Sequence, residues 1–240
     1  VTDVRLDNSA NIIVNAANVT LRRVHLRGGY IENFAGSTCH NGLLIEDSTL
    51  EPPVGQSAYP VERWRIGTGG YTARGVELIN APDGYRVGGD SGGCGPVTIE
   101  NSFISVKPPQ TCGDWHGDGI QGYDGPHVNV LNTTIDMDAT GCGGTAPFFV
   151  PSGQGNTSAT VDRLLIAGPN GNYSFRMGVP GTVNHLRIEN NGWSYGPLDV
   201  KCSVIPSWEA KIVGPVDRTA GGYAEPATVR DQPCNTEGGS

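Results

Sequence analysis

The chain has 240 residues, a net charge of −8 and an isoelectric point near 5.0, and 37% of its residues are hydrophobic. An acidic chain of this kind excludes nucleic acid as the main partner, because phosphate neutralisation wants a basic surface. No apolar run approaches the ~18 residues that a membrane helix needs, so no membrane partner is expected.

The 36 glycines and 17 prolines are spread along the chain rather than blocked, which argues against a disordered linker. Windows with apolar residues at helical spacing are scarce, while short strand-like runs bounded by Gly, Asn, Asp and Pro dominate. The chain therefore reads as all-β and long enough to bury one core.

Taken in chain order, VTDVRL opens on a strand, and seven nine-residue windows follow. They are NVTLRRVHL (18–26), GLLIEDSTL (42–50), GYTARGVEL (70–78), PVTIENSFI (96–104), HVNVLNTTI (127–135), SATVDRLLI (158–166) and PGTVNHLRI (180–188). Each approximates x-V-T-[LIV]-x-x-x-x-[IL]: a strand, a polar bend, then another apolar residue. Their starts are separated by 24, 28, 26, 31, 31 and 22 residues. A second set falls between them: GYIENF (29–34), ERWRIG (62–67), GYRVGG (84–89), GDGIQG (117–122), PFFVPS (147–152), SFRMGV (174–179) and PLDVKC (197–202). Two strand sets repeating together predict a solenoid of about seven or more coils, with apolar ladders inside and Asn, Thr and Ser at the bends. A β-sandwich has no reason to repeat one window at this interval. The repeat covers residues 1–213; residues 214–240 form a tail expected to pack on the solenoid or cap its open edge, with Cys234 a possible tether.

Six cysteines (Cys39, Cys94, Cys112, Cys142, Cys202, Cys234) contain no C-x-x-C pair, against a zinc ribbon or thioredoxin-type site. Disulfides in an oxidising compartment are expected instead, with at least one bridge among Cys94, Cys112 and Cys142. No signal peptide is present, so the chain reads as a mature or trimmed secreted protein, expected to be a monomer. Sequons at Asn18, Asn132, Asn156 and Asn172 are compatible with secretion and also arise by chance in such a composition.

The repeat NVTLRRVHL…GLLIEDSTL…PVTIENSFI resembles that of the right-handed parallel β-helix proteins of the pectate-lyase-like superfamily. The resemblance implies a right-handed, single-stranded parallel β-helix and a polysaccharide as partner. It does not assign a reaction, since members of the superfamily cleave, epimerise or merely grip polysaccharides.

The stretch DWHGDGIQGYDG (114–125) concentrates polar chemistry. If Ile120 points inward, its ladder partners are Val87, Val150, Met177 and Val200. Alternation then turns Arg86, Phe149 (or Pro151), Arg176 and Asp199 outward, together with Gln121 and Lys201, while His116 and Asp118 approach Gln121. Trp115 and Tyr123 offer flat apolar faces that suit sugar rings, although Trp115 could equally plug the side of the fold. Each polar residue also has an ordinary structural use, as a surface ion pair, a loop histidine or a turn aspartate.

On residue types, cleavage of a uronic-acid polymer by β-elimination fits best. Arg86, Gln121, Arg176 and His116 are the candidates to bind the sugar carboxylate or the leaving group, Lys201 or His116 to act as base, and Asp118 to orient His116 or Arg86. Trp115, Tyr123, Phe149 and Asp199 complete the expected substrate surface. Asp114, Asp118 and Asp124 could instead hold Ca²⁺, but no tight acidic cluster demands a metal. Glycoside hydrolysis is the alternative. HGDGI faintly resembles the NTDGID segment of β-helical polygalacturonases, yet the second Asp is Gln121, and Asp118 and Asp199 would lie roughly 14 Å apart. A third reading is a carbohydrate-binding or adhesive solenoid without catalysis. A serine or cysteine hydrolase is set aside, because the six cysteines read as structural.

Overall fold

A computed structural model describes residues 1–168, 171–190, 193–217 and 226–240. The seven windows lie side by side in one mostly parallel sheet of thirteen described strands. Their third residues are in register: Thr20, Leu44, Thr72, Thr98, Asn129, Thr160 and Thr182. So are their ninth: Leu26, Leu50, Leu78, Ile104, Ile135, Ile166 and Ile188, all wholly buried. A one-residue slip would expose that entire apolar ladder, which is why the pattern fixes the pairing.

The sixth residue of every window bends the strand. Arg23, Asp47, Gly75, Asn101, Asn132, Arg163 and His185 are all left-handed, with φ between 46° and 63°. In Val128–Met137 both halves pair with Ala159–Ala167 while Asn132 is skipped, so the strand turns without losing its ladder. Left-handed backbone is unfavourable for most side chains, and contacts along the column offset that cost. Arg23 pairs with Asp3, and Asn132 donates to Asn101. The expected polar bends do bond backbone: Ser48 and Ser102 each donate to a carbonyl two residues back and accept the amides of Val24 and Val76.

The second strand set, together with Ile12–Ile13, forms a parallel sheet of eight described strands. Its buried ladder runs Ile31, Ile66, Tyr85, Ile120, Phe148, Phe175 and Leu198. Phe148 and Phe175 stack with centroids 4.6 Å apart. The partners expected for Ile120 are corrected here: it pairs with Tyr85 and Phe148, while Val87 faces Gly122 and Val150 faces Met177. The error is two residues, because bulky Tyr85 and Phe148 fill the ladder ahead of the smaller Val87 and Val150. A two-residue shift preserves the faces, so the outward column survives: Arg86, Gln121, Phe149, Arg176 and Asp199 are consecutive neighbours.

In the tail, Thr228–Asp231 pairs antiparallel with Ser207–Val213 and covers that edge of the larger sheet. Residues 218–225 of the tail lie outside the described residues. Bridges join Cys39 to Cys94, Cys112 to Cys142 and Cys202 to Cys234, which points to an oxidising environment. Cys112–Cys142 is the bridge expected beside the 114–125 stretch. Among the described residues no helix is long and apolar enough to cross a membrane.

Candidate functional site

Arg86 begins the outward column. Its Nη1 donates to Gln121 Oε1 at 2.6 Å, and Gln121 Nε2 donates to Asp118 Oδ2 at 3.0 Å. The other oxygen of Asp118 accepts the Ala146 amide at 3.0 Å, and the Asp118 amide donates to Asp83 Oδ1 at 3.0 Å. Arginine, glutamine and two aspartates thus form one chain running from the surface inward, and it fixes both the guanidinium and the Gln121 amide.

The buried end of this chain is electrostatically unusual. Burial raises the Asp83 carboxyl to about 7, opposed by the amide donated from Asp118. Burial, then the Asp83 charge, holds Asp118 well above the ordinary carboxylate range. Among the described residues nothing donates to the second oxygen of Asp83. Burial also lowers Arg86, although a guanidinium stays protonated throughout the physiological range.

Aromatic rings flank the arginine. The Arg86 guanidinium carbon is 4.8 Å from the Tyr123 centroid and 5.8 Å from that of Trp64. Arg63 continues the arrangement, 4.8 Å from Trp64 and 3.8 Å from Tyr30. Tyr30, Arg63, Trp64, Arg86 and Tyr123 therefore alternate ring and cation across the outer face of the smaller sheet. Arg63 has a counter-ion, donating to Glu32 at 3.1 Å, and Glu32 also accepts from Thr68. Arg86 forms no ion pair with any carboxylate among the described residues. Its hydrogen bond is to a neutral amide, and Asp83, Asp118 and Asp124 act on its charge only from beyond ion-pair distance.

The remaining sequence-derived residues are dispersed. Trp115 is 4% exposed, packed in the core with its indole N–H on the Pro82 carbonyl, so it plugs the fold and offers no face to a ligand. Asp118 touches Gln121, not His116 or Arg86. His116 is largely exposed on the preceding loop; its amide donates to Glu62 and its ring lies 3.8 Å from Asp114. Arg176 lies 2.7 Å from Asp199 and beside the Phe149 ring. Phe149, 6% exposed, separates that pair from Gln121. Lys201 is beyond Asp199, at least four strand spacings, about 19 Å, from the Arg86 position. Among the described residues no group of three His, Cys, Asp or Glu side chains is placed to hold a metal ion, so Asp114, Asp118 and Asp124 do not converge as a Ca²⁺ site.

Sequence reasoning missed Tyr30, Arg63, Trp64 and Asp83. The adjacency of arginine and tryptophan in ERWRIG was the available signal. A cleft of about 220 Å³ lies elsewhere, on the larger sheet among Asn132, Arg163, His185 and Arg187. The cations there face carboxylates, Arg163 on Asp162 and Arg187 on Glu209, so it lacks the unmatched charge of Arg86. No family model, no curated protein and no solved structure matches the chain.

Proposed function

We propose that the protein is a secreted, right-handed parallel β-helix that cleaves an acidic polysaccharide by β-elimination. The observation that carries this reading is Arg86: a half-buried guanidinium without a counter-ion, between the rings of Trp64 and Tyr123 and aimed by Gln121. The in-register windows support the architecture, and the three bridges support secretion.

A uronic-acid carboxylate supplies the missing counter-charge, and the rings take the apolar faces of neighbouring sugars. Pairing with Arg86 withdraws charge from the carboxylate and acidifies the adjacent C5 proton. A base removes that proton, its electrons form the C4–C5 double bond, and the C4–O bond breaks with its oxygen taking a proton. His116, exposed two residues before the Asp118–Tyr123 strand, and Tyr123, exposed at the end of that strand, are the candidates for these transfers. Asp118 acts at one remove, by holding the Gln121 amide so that its oxygen meets Arg86.

One observation favours glycoside hydrolysis as a second reading. Asp83 keeps its proton close to neutral pH, as a general acid must. The carboxylate beside it, Asp118, is 1% exposed and already holds the Gln121 amide and the Ala146 amide. That leaves Asp83 without an accessible partner on the adjacent strand, and elimination is preferred.

Ultraviolet absorbance during incubation with pectate, alginate, glucuronans and glycosaminoglycans, with and without calcium, tests the proposal. Elimination creates a conjugated, absorbing double bond. A flat trace with new reducing ends supports the hydrolase reading. A flat trace without new ends on any polymer leaves a carbohydrate-binding protein.

A further inference from the structure

The outward column does not stay open along its length. Residues 236–240 return from the Cys202–Cys234 bridge and run across its far end. Thr236 bonds Val200 in both directions, through its hydroxyl to the carbonyl at 2.7 Å and from the Val200 amide at 3.2 Å. Glu237 accepts the Ser203 amide and hydroxyl at 3.0 and 2.7 Å. The Gly238 amide donates to the Val200 carbonyl, and the Gly239 amide to Asp199 Oδ1 at 2.8 Å. The Gly239 carbonyl accepts the Ser152 amide at 2.9 Å, and the Ser240 carbonyl accepts Arg176 Nη2 at 2.5 Å.

Glycines make this approach possible. A Cβ on Gly178 would lie 1.7 Å from the Gly239 carbonyl oxygen, and one on Gly238 would lie 1.9 Å from Asp199 Oδ1. Arg176, the second cation of the column, therefore has both partners supplied from within the chain: Asp199 and the Ser240 carbonyl.

We infer that residues 236–240 form an end wall, so that a polysaccharide on the column starts at Phe149 and extends toward Arg86 and Arg63, and the site takes chain ends rather than chain interiors. This rests on the reading of Arg86 as the carboxylate-binding residue. A polymer threaded past Phe149 would have to displace the Ser240 carbonyl from Arg176 and the Gly239 amide from Asp199. Opening the wall frees Arg176 Nη2 to donate to one more sugar oxygen, while Asp199 stays beside Nε.

The test uses Gly238→Val, which lifts the wall from its own side, and Gly178→Ala, which lifts it from the sheet. The wild-type chain is expected to release short products while polymer viscosity falls slowly. Both variants should shift to internal cleavage with a rapid viscosity drop, and should bind long oligouronides roughly tenfold tighter, the worth of one charge-assisted contact. Rapid viscosity loss with wild type, or variants with unchanged products and affinity, overturns the inference. If no chain binds or cleaves any uronide, the reading of Arg86 has failed, and modification of Arg176 by phenylglyoxal, mapped by mass spectrometry, judges the wall by itself. Protection in wild type with modification in both variants supports it; equal modification in all three overturns it.

Discussion

Two outward columns of this protein use the same device and differ in one respect. On the larger sheet Arg22, Glu46, Arg74 and Glu100 are successive neighbours of alternating sign. Glu46 serves Arg22 and, at 2.9 Å, Arg74, and Arg74 reaches Glu100 at 2.5 Å. On the smaller sheet the corresponding sequence is Arg86, Gln121, Phe149, Arg176 and Asp199. Every charge in the first column is matched by its neighbour. In the second, a neutral amide stands where a carboxylate would match Arg86. Stacked like charges repel and opposite ones attract across a sheet, so a matched column is complete in itself, while an unmatched one leaves a charge for a ligand.

The largest expected contrast comes from removing one arginine from each column. Arg86→Ala should lower turnover of the cleaved polymer by about 10²–10³-fold, the usual loss for a group that stabilises developing negative charge, with little change in the urea midpoint. Arg74→Ala should do the reverse, lowering the midpoint and leaving turnover unchanged. A variant Arg86→Ala with full activity would sink the assignment of the site.

Asp83→Asn sharpens the contrast through pH. The folded carboxyl titrates near 7 because of burial, against roughly 3.9 unfolded. Between those values the folded state holds a proton that the unfolded state has lost, so this group's contribution to stability falls as pH rises. Asp83→Asn, which keeps an acceptor for the Asp118 amide, should match wild type near pH 4 and gain on it by up to about 4 kcal/mol above pH 7. Urea titrations at several pH values measure the difference; a constant difference would show that Asp83 is not held protonated.

Gln121→Glu imposes the first column's rule on the second. It gives Arg86 an internal counter-ion and should raise KM roughly tenfold, the worth of one charged contact. Unchanged KM would mean that Arg86 does not meet the substrate's charge. The last contrast sets His116→Ala against Tyr123→Phe, of which only loss of the true base should cost about 10²-fold or more in kcat. The variant that flattens the pH profile of kcat identifies the base, and identical profiles for both would exclude the pair.

The repeat was legible because each window ends in Leu or Ile at a fixed offset, and burial of that residue fixes its pairing. The outward column was legible for the same reason, and even a two-residue error left Arg86, Gln121, Phe149, Arg176 and Asp199 on one face. Direction off the strands was not legible. Trp115 precedes the strand, and only the backbone path of the 107–117 loop decides that its ring turns inward onto Pro82. Asp118 begins its strand, where the buried amide of Ala146 claims it. Trp64 and Arg63 were missed because their role depends on which strand lies next to Arg86, a non-local fact. The wall over Arg176 depends on how the tail returns after Cys234, which local pattern does not specify.

The window spacing has a consequence for how such a chain can change over generations. Nine-residue windows stay in register although the intervals between them range from 22 to 31 residues. The two longest intervals contain the 107–117 and 138–145 connectors, which Cys112–Cys142 joins beside the strand that carries Gln121. Length is free in the connectors and fixed in the windows. Insertions and deletions can therefore reshape the approach to Arg86 while no strand moves, so what reaches that cation can drift without the fold having to follow.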